Sequence, residues 1–162
     1  MRPCARLSAV RALGIDFGGR RIGLALSDPT GTLARPWRTL ERREHDDDAA
    51  AHEVASVAST LMAEEDGLVA VVVGLPAHLD GTPSDESARV QAFASRLEAL
   101  LAVPVVLQDE RLTSHEAESR LALRERDWRR RKARLDAAAA AVILQDYLDS
   151  RRPPGPSSPD EV

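Results

Sequence analysis

The single cysteine, Cys4, excludes a disulfide framework and a cysteine-based zinc site. Aromatic residues make up only 3% of the 162 residues, which argues against a nucleic-acid platform built by stacking bases on rings. Long apolar runs are missing too. Leu68 to Leu75 and Ala137 to Leu144 are the longest, far short of the roughly 20 residues that span a bilayer. The first residues carry Arg2, Arg6 and Arg11 without the apolar stretch of a signal peptide, so a cytoplasmic protein without membrane contact is expected. His45, His52, His78 and His115 show no metal-ligand spacing, and nothing supports a Ser-His-Asp enzyme.

What is present fits one soluble domain, 43% hydrophobic and 30% charged. A formal net charge of -4 by itself predicts no polyanion binding. The distribution says more. Arg120, Arg124, Arg126, Arg129, Arg130, Arg131, Lys132 and Arg134 crowd into one segment, opposed only by Glu125 and Asp127. Acidic residues gather at 41–48 and 109–118. The split is compatible with an acidic metal site beside a phosphate-binding patch, and equally with a solvated charged helix.

Residues 12–17, 22–28 and 33–40 read as three short strands with turns at Gly18-Gly19 and Pro29-Thr30-Gly31, an antiparallel meander. A helix over 48–66 follows, with Val54, Val57, Ala58 and Leu61 as its apolar stripe. Leu68 to Val73 is a β-branched run buried on both faces, and Pro104 to Asp109 reads as another buried strand. Between them lies a helix over 84–102 with Val90, Phe93, Leu97 and Leu101 or Leu100 turned inward. Helix-favouring sequence runs over 114–123, and a last helix over 135–149. The order βββαβαβαα predicts an α/β fold: a mixed sheet, meander plus parallel strands, flanked by helices, as in the ribonuclease H-like fold.

Three carboxylates stand where chemistry is expected. Asp16 closes the first apolar strand just before two glycines, a place where an ionised group needs a cation or donors. Glu110 follows the last strand, and active sites of α/β sheets gather at strand carboxyl ends. Asp136 shares a helix face with Ala139, Ala140, Ile143 and Tyr147, unless it merely caps a helix starting at Ala137. Oxygen donors without a cysteine cluster point to Mg2+ or Mn2+, and phosphodiester hydrolysis commonly uses two such ions. Asp28 and Asp109 stand as alternative ligands, and Arg129, Arg130, Arg131 and Lys132 as candidate phosphate contacts. Asp-x-Gly-Gly before a second strand also opens actin and sugar-kinase folds, but those need a second, similar domain for which 162 residues leave no room.

Four motifs in register resemble the YqgF/RuvX family. They are Asp16-Phe17-Gly18-x-x-Arg21-Ile22-Gly23-x-Ala25, Gly74-Leu75-Pro76 with Asp80-Gly81, Asp109-Glu110-Arg111-Leu112-Thr113, and Lys132-x-x-x-Asp136-x-x-Ala139-Ala140 with Ile143-Leu144-Gln145-x-Tyr147-Leu148. The resemblance implies a ribonuclease H-like nuclease related to Holliday junction resolvases, acting on the 5′ end of 16S ribosomal RNA precursors. It implies that Asp16, Glu110 and Asp136 bind metal, and that Arg21 and Arg111 orient the site or contact phosphate. Residues 11–150 form the expected nuclease domain and 151–162 a disordered Pro-rich tail. Branched DNA is the alternative substrate. Its symmetric cutting calls for a dimer, so oligomeric state bears on the choice. Non-catalytic RNA binding in assembly is the other reading.

Overall fold

The computed structural model describes residues 11–42, 46–76, 84–109 and 128–151, and their side chains except at 128–132. Three strands open it: β1 (Ala12–Phe17), β2 (Arg21–Ser27) and β3 (Ala34–Glu41). Helix α1 (Asp47–Ala63), β4 (Ala70–Leu75), α2 (Asp85–Leu100), β5 (Val105–Asp109) and α3 (Trp128–Ser150) follow. The strands form one sheet in the order β3-β2-β1-β4-β5. The first three pair antiparallel, and β4 and β5 run parallel to β1. This is the mixed meander-plus-parallel sheet that the element order predicts.

Alternation along the strands explains why the two faces are covered differently. On β1 and β2, Leu13, Ile15, Ile22 and Leu24 point into a core closed by α1 and α2, with Val54, Leu61, Phe93 and Leu97 opposite. Ala12, Ala25, Ala70 and Val72 point the other way, against Ala140, Ile143, Leu144 and Tyr147 of α3. Large side chains fill one face; small ones line the other. The helix therefore approaches the sheet closely, and it crosses β3, β2 and β1 and reaches β4 and β5. Gly14 is part of this fit, since a Cβ there would stand 2.8 Å from the Ala140 carbonyl oxygen and 2.7 Å from Leu144 Cβ.

Most expected elements appear within a few residues. Two readings change. β5 is an edge strand, not a fully buried one: it has a neighbour on one side only, its valines are half-buried, and Leu107 is exposed. The last helix begins at Trp128, seven residues before the expected start, because the Arg/Lys/Ala/Leu sequence is an unbroken run of helix formers. Asp136 consequently lies well inside α3, and its reading as a cap falls. Leu101 packs against the core and Leu100 is exposed, which decides between those two. Glu110, Arg111, His45, His78, the helix expected over 114–123 and the tail after Arg151 lie outside the described residues. Among the described residues no helix is long and apolar enough to cross a membrane.

Candidate active site

The carboxyl ends of β1 and β4, the start of α2 and the first third of α3 converge at one end of the sheet. Asp16 sits at the end of β1 with Gly23 of β2 as its cross-strand partner. Phe17, beside it, faces the opposite core, where it stacks on Phe93 with ring centroids 4.1 Å apart. The Arg42 guanidinium covers its other side, 4.7 Å from the ring. Arg42 also donates to the Gly18 carbonyl at 3.0 Å and to Asp47, which ties the β1–β2 turn to the start of α1. The strand end that carries Asp16 is thus held from below by ring packing and a buried arginine.

Asp136 comes from the other layer. Its carboxylate accepts a hydrogen bond from Arg21 Nε at 3.1 Å, and its backbone rests on Gly23. Ser84 caps α2, and the Ser87 hydroxyl donates to the Pro76 carbonyl, so the helix starts hard against the end of β4. That brings Glu86, in the first turn of α2, toward the same place. Burial pushes the Asp16 carboxyl up from 3.8 to about 7, and the negative charges of Asp136 and Glu86 add to the rise.

The donors fit a hard divalent ion, being carboxylate oxygens without histidine or thiolate. Asp16 and Asp136 supply two. Among the described residues no three His, Cys, Asp or Glu side chains gather closely enough to enclose a metal ion, and Glu110 lies outside them. Asp109, exposed at the end of β5, is two strands away from Asp16 across β4. Asp28 is a turn residue. Its carboxylate accepts from the Thr32 and Leu33 amides at 2.8 and 2.9 Å and from the Thr30 hydroxyl, which hold its pKa down to about 2. It belongs to the β2–β3 turn, at the end of β2 opposite the Arg21 end near Asp136.

Arg21, at the start of β2, is paired with the Asp136 carboxylate. Arg129, Arg130, Arg131 and Lys132 lie in the first turns of α3. Sequence reasoning assigns no role to Glu86 or to Gly23. An acidic first turn reads as ordinary helix capping, and only the β1–β2 register shows that Gly23 lies beside Asp16.

A five-stranded mixed sheet of this order, with one acid at the end of β1 and another on the helix that crosses it, defines the ribonuclease H-like class. RuvC from T. thermophilus, solved in complex with a Holliday junction substrate, shares the fold at a TM-score of 0.53 and 16% identity over 88% of this chain and 95% of that one. The family model RuvX, described as Holliday junction resolvase, matches residues 10–150, and the chain belongs to the RuvX family. A relative from Anaeromyxobacter dehalogenans is 46% identical over 89% of this chain and all of its own length, and bears the name "Putative pre-16S rRNA nuclease". One from Crocosphaera subtropica carries the same name at 38% identity over 90% of this chain and 97% of its own. The protein is a nuclease, a hydrolase of phosphodiester bonds.

Proposed function

We propose that this nuclease depends on a divalent metal and matures the 5′ end of a 16S ribosomal RNA precursor in the cytoplasm. Residues 11–150 form the working unit. The observation that carries the reading is the meeting of Asp16 and Asp136, from the sheet and from α3, at the end of β1. The names of relatives matched along nearly their whole length support this substrate.

Asp16 and Asp136, with Glu110 as the third carboxylate, hold Mg2+ or Mn2+, two ions in the full site. Bound there, the metal supplies positive charge to the attacking and leaving oxygens of the phosphodiester. Asp16 would hold the metal as the carboxylate, so binding should weaken as pH falls below about 7. Arg21 holds the Asp136 carboxylate at 3.1 Å and keeps it turned toward β2. Arg111, Arg129, Arg130, Arg131 and Lys132 contact backbone phosphates, giving an affinity that falls steeply with salt.

The family description favours a second substrate, branched DNA. The two readings separate on substrates of equal length offered together, a 5′-extended 16S precursor and a four-way DNA junction, with Mn2+. Preferential cutting of the RNA supports the proposal, and cutting of the junction alone replaces it with a resolvase. Salt-sensitive RNA binding without cleavage in Mn2+, and again in Mg2+, would make the protein an assembly factor.

A further inference from the structure

Asp16, Gly23 and Thr39 form a single row across β1, β2 and β3. Gly23 is the direct partner of Asp16 on one side and of Thr39 on the other. Directly paired residues point to the same face of a sheet, and here that face is the one α3 covers. The row meets one turn of α3. The Thr39 hydroxyl donates to the Ala133 carbonyl at 2.6 Å. A Cβ on Gly23 would lie 1.9 Å from the Asp136 carbonyl oxygen and 2.9 Å from the Ala137 nitrogen. The peptide after Asp136 therefore rests directly on the bare Cα of Gly23.

We propose that Gly23 and Thr39 are positioning residues that set the height of Asp136 above the sheet, and with it the separation of the two metal-holding carboxylates. The inference rests on the metal-centre reading above. Gly23 is the floor: any side chain there lifts the helix at Asp136 itself. Thr39 is the tether: its hydroxyl pulls the preceding turn down beside that floor. Farther along α3, Gln145 accepts from the Ala34 amide at 2.9 Å and donates to the Thr32 carbonyl at 3.0 Å. The helix is thereby fixed at its far end, so a lift at Gly23 tilts Asp136 away from Asp16 and cannot be absorbed by sliding the whole helix.

The test is a calorimetric titration of the full chain with Mn2+ alone, with circular dichroism to confirm folding. Wild type should bind and Asp16→Asn should not; absence of that difference removes the metal-centre reading and this inference with it. Given the difference, Gly23→Ala should weaken Mn2+ binding at least about tenfold and Thr39→Val by about threefold, as for groups that orient metal ligands. Gly14→Ala crowds the same helix at Ala140 and Leu144, away from Asp136, and should keep affinity within about twofold of wild type by the same reasoning. Cleavage by Thr39→Val should recover when Mn2+ is raised to saturation, a rescue that simple destabilisation would not show. Unchanged affinity in folded Gly23→Ala, or equal losses in Gly14→Ala and Gly23→Ala, overturns the proposal. Should Gly23→Ala fail to fold, Thr39→Val decides: unchanged affinity there overturns it.

Discussion

Replacing Asp16 by asparagine should make the metal-free protein more stable at pH 8 and leave it nearly unchanged at pH 4. The carboxyl is raised from 3.8 to about 7 by burial and by Asp136 and Glu86. Between those values the folded state binds a proton that the unfolded state has lost, so stability falls as pH rises from the lower value through the folded one. At about 1.4 kcal/mol for each tenfold change in proton affinity, the rise from 3.8 to about 7 sets a ceiling of about 4 kcal/mol. An asparagine has the shape of the protonated acid and carries no such penalty. A gain at pH 8 that stays below this ceiling is the expectation. The assay is urea unfolding of both proteins in EDTA at pH 4, 6 and 8. Saturating Mg2+ should reverse the order at pH 8, since only wild type gains the binding free energy. A difference between the two proteins that is the same at every pH would refute the reasoning.

Three further outcomes follow from the same geometry. Glu86→Gln should move the pH midpoint of Mn2+ binding downward while cleavage persists, because Glu86 raises the Asp16 pKa from the α2 side; a midpoint that stays put, read by calorimetry across pH, counts against its place in the site. Arg11→Ala should destabilise by about 2–4 kcal/mol in urea unfolding, since the buried Arg11 guanidinium donates to the Gly67 and Leu61 carbonyls and pairs with Glu64. Asp28→Ala should lose about 1–2 kcal/mol at pH 7 and retain cleavage, because Asp28 holds a turn. With its pKa held down to about 2, that loss should shrink as pH falls below about 4 toward 2, where wild type also loses the charge.

Asp16 is legible in the sequence because an apolar strand ending in one carboxylate is a local pattern, and the alanines beside Asp136 announce a close helix in the same way. The strand boundaries come from turn chemistry, which is also local. Other features depend on what lies across the sheet. β5 reads as buried because its valines match those of β4, yet its place at the edge follows only from strand order. The early start of α3 is obscured by its charge, since an arginine run reads as solvated whether or not it is helical. Thr39 carries no sequence signal of its own, and the motif that contains Gly23 says nothing of its neighbours, because only cross-strand register places both in one row with Asp16. One clue is there. The alternation of large and small residues on β1 and β2, Leu13 and Ile15 against Ala12 and Gly14, marks the face where a helix backbone fits.

Asp16 and Asp136 acting together on one metal-dependent cleavage is the central claim, and single-turnover cutting of a 5′-extended 16S precursor tests it most directly. Wild type, Asp16→Asn and Asp136→Asn are compared across a titration of Mn2+, with folding of each confirmed. The account predicts metal-dependent cutting by wild type and its loss in both variants at every Mn2+ concentration. Cutting at the wild-type rate by either folded variant would contradict it.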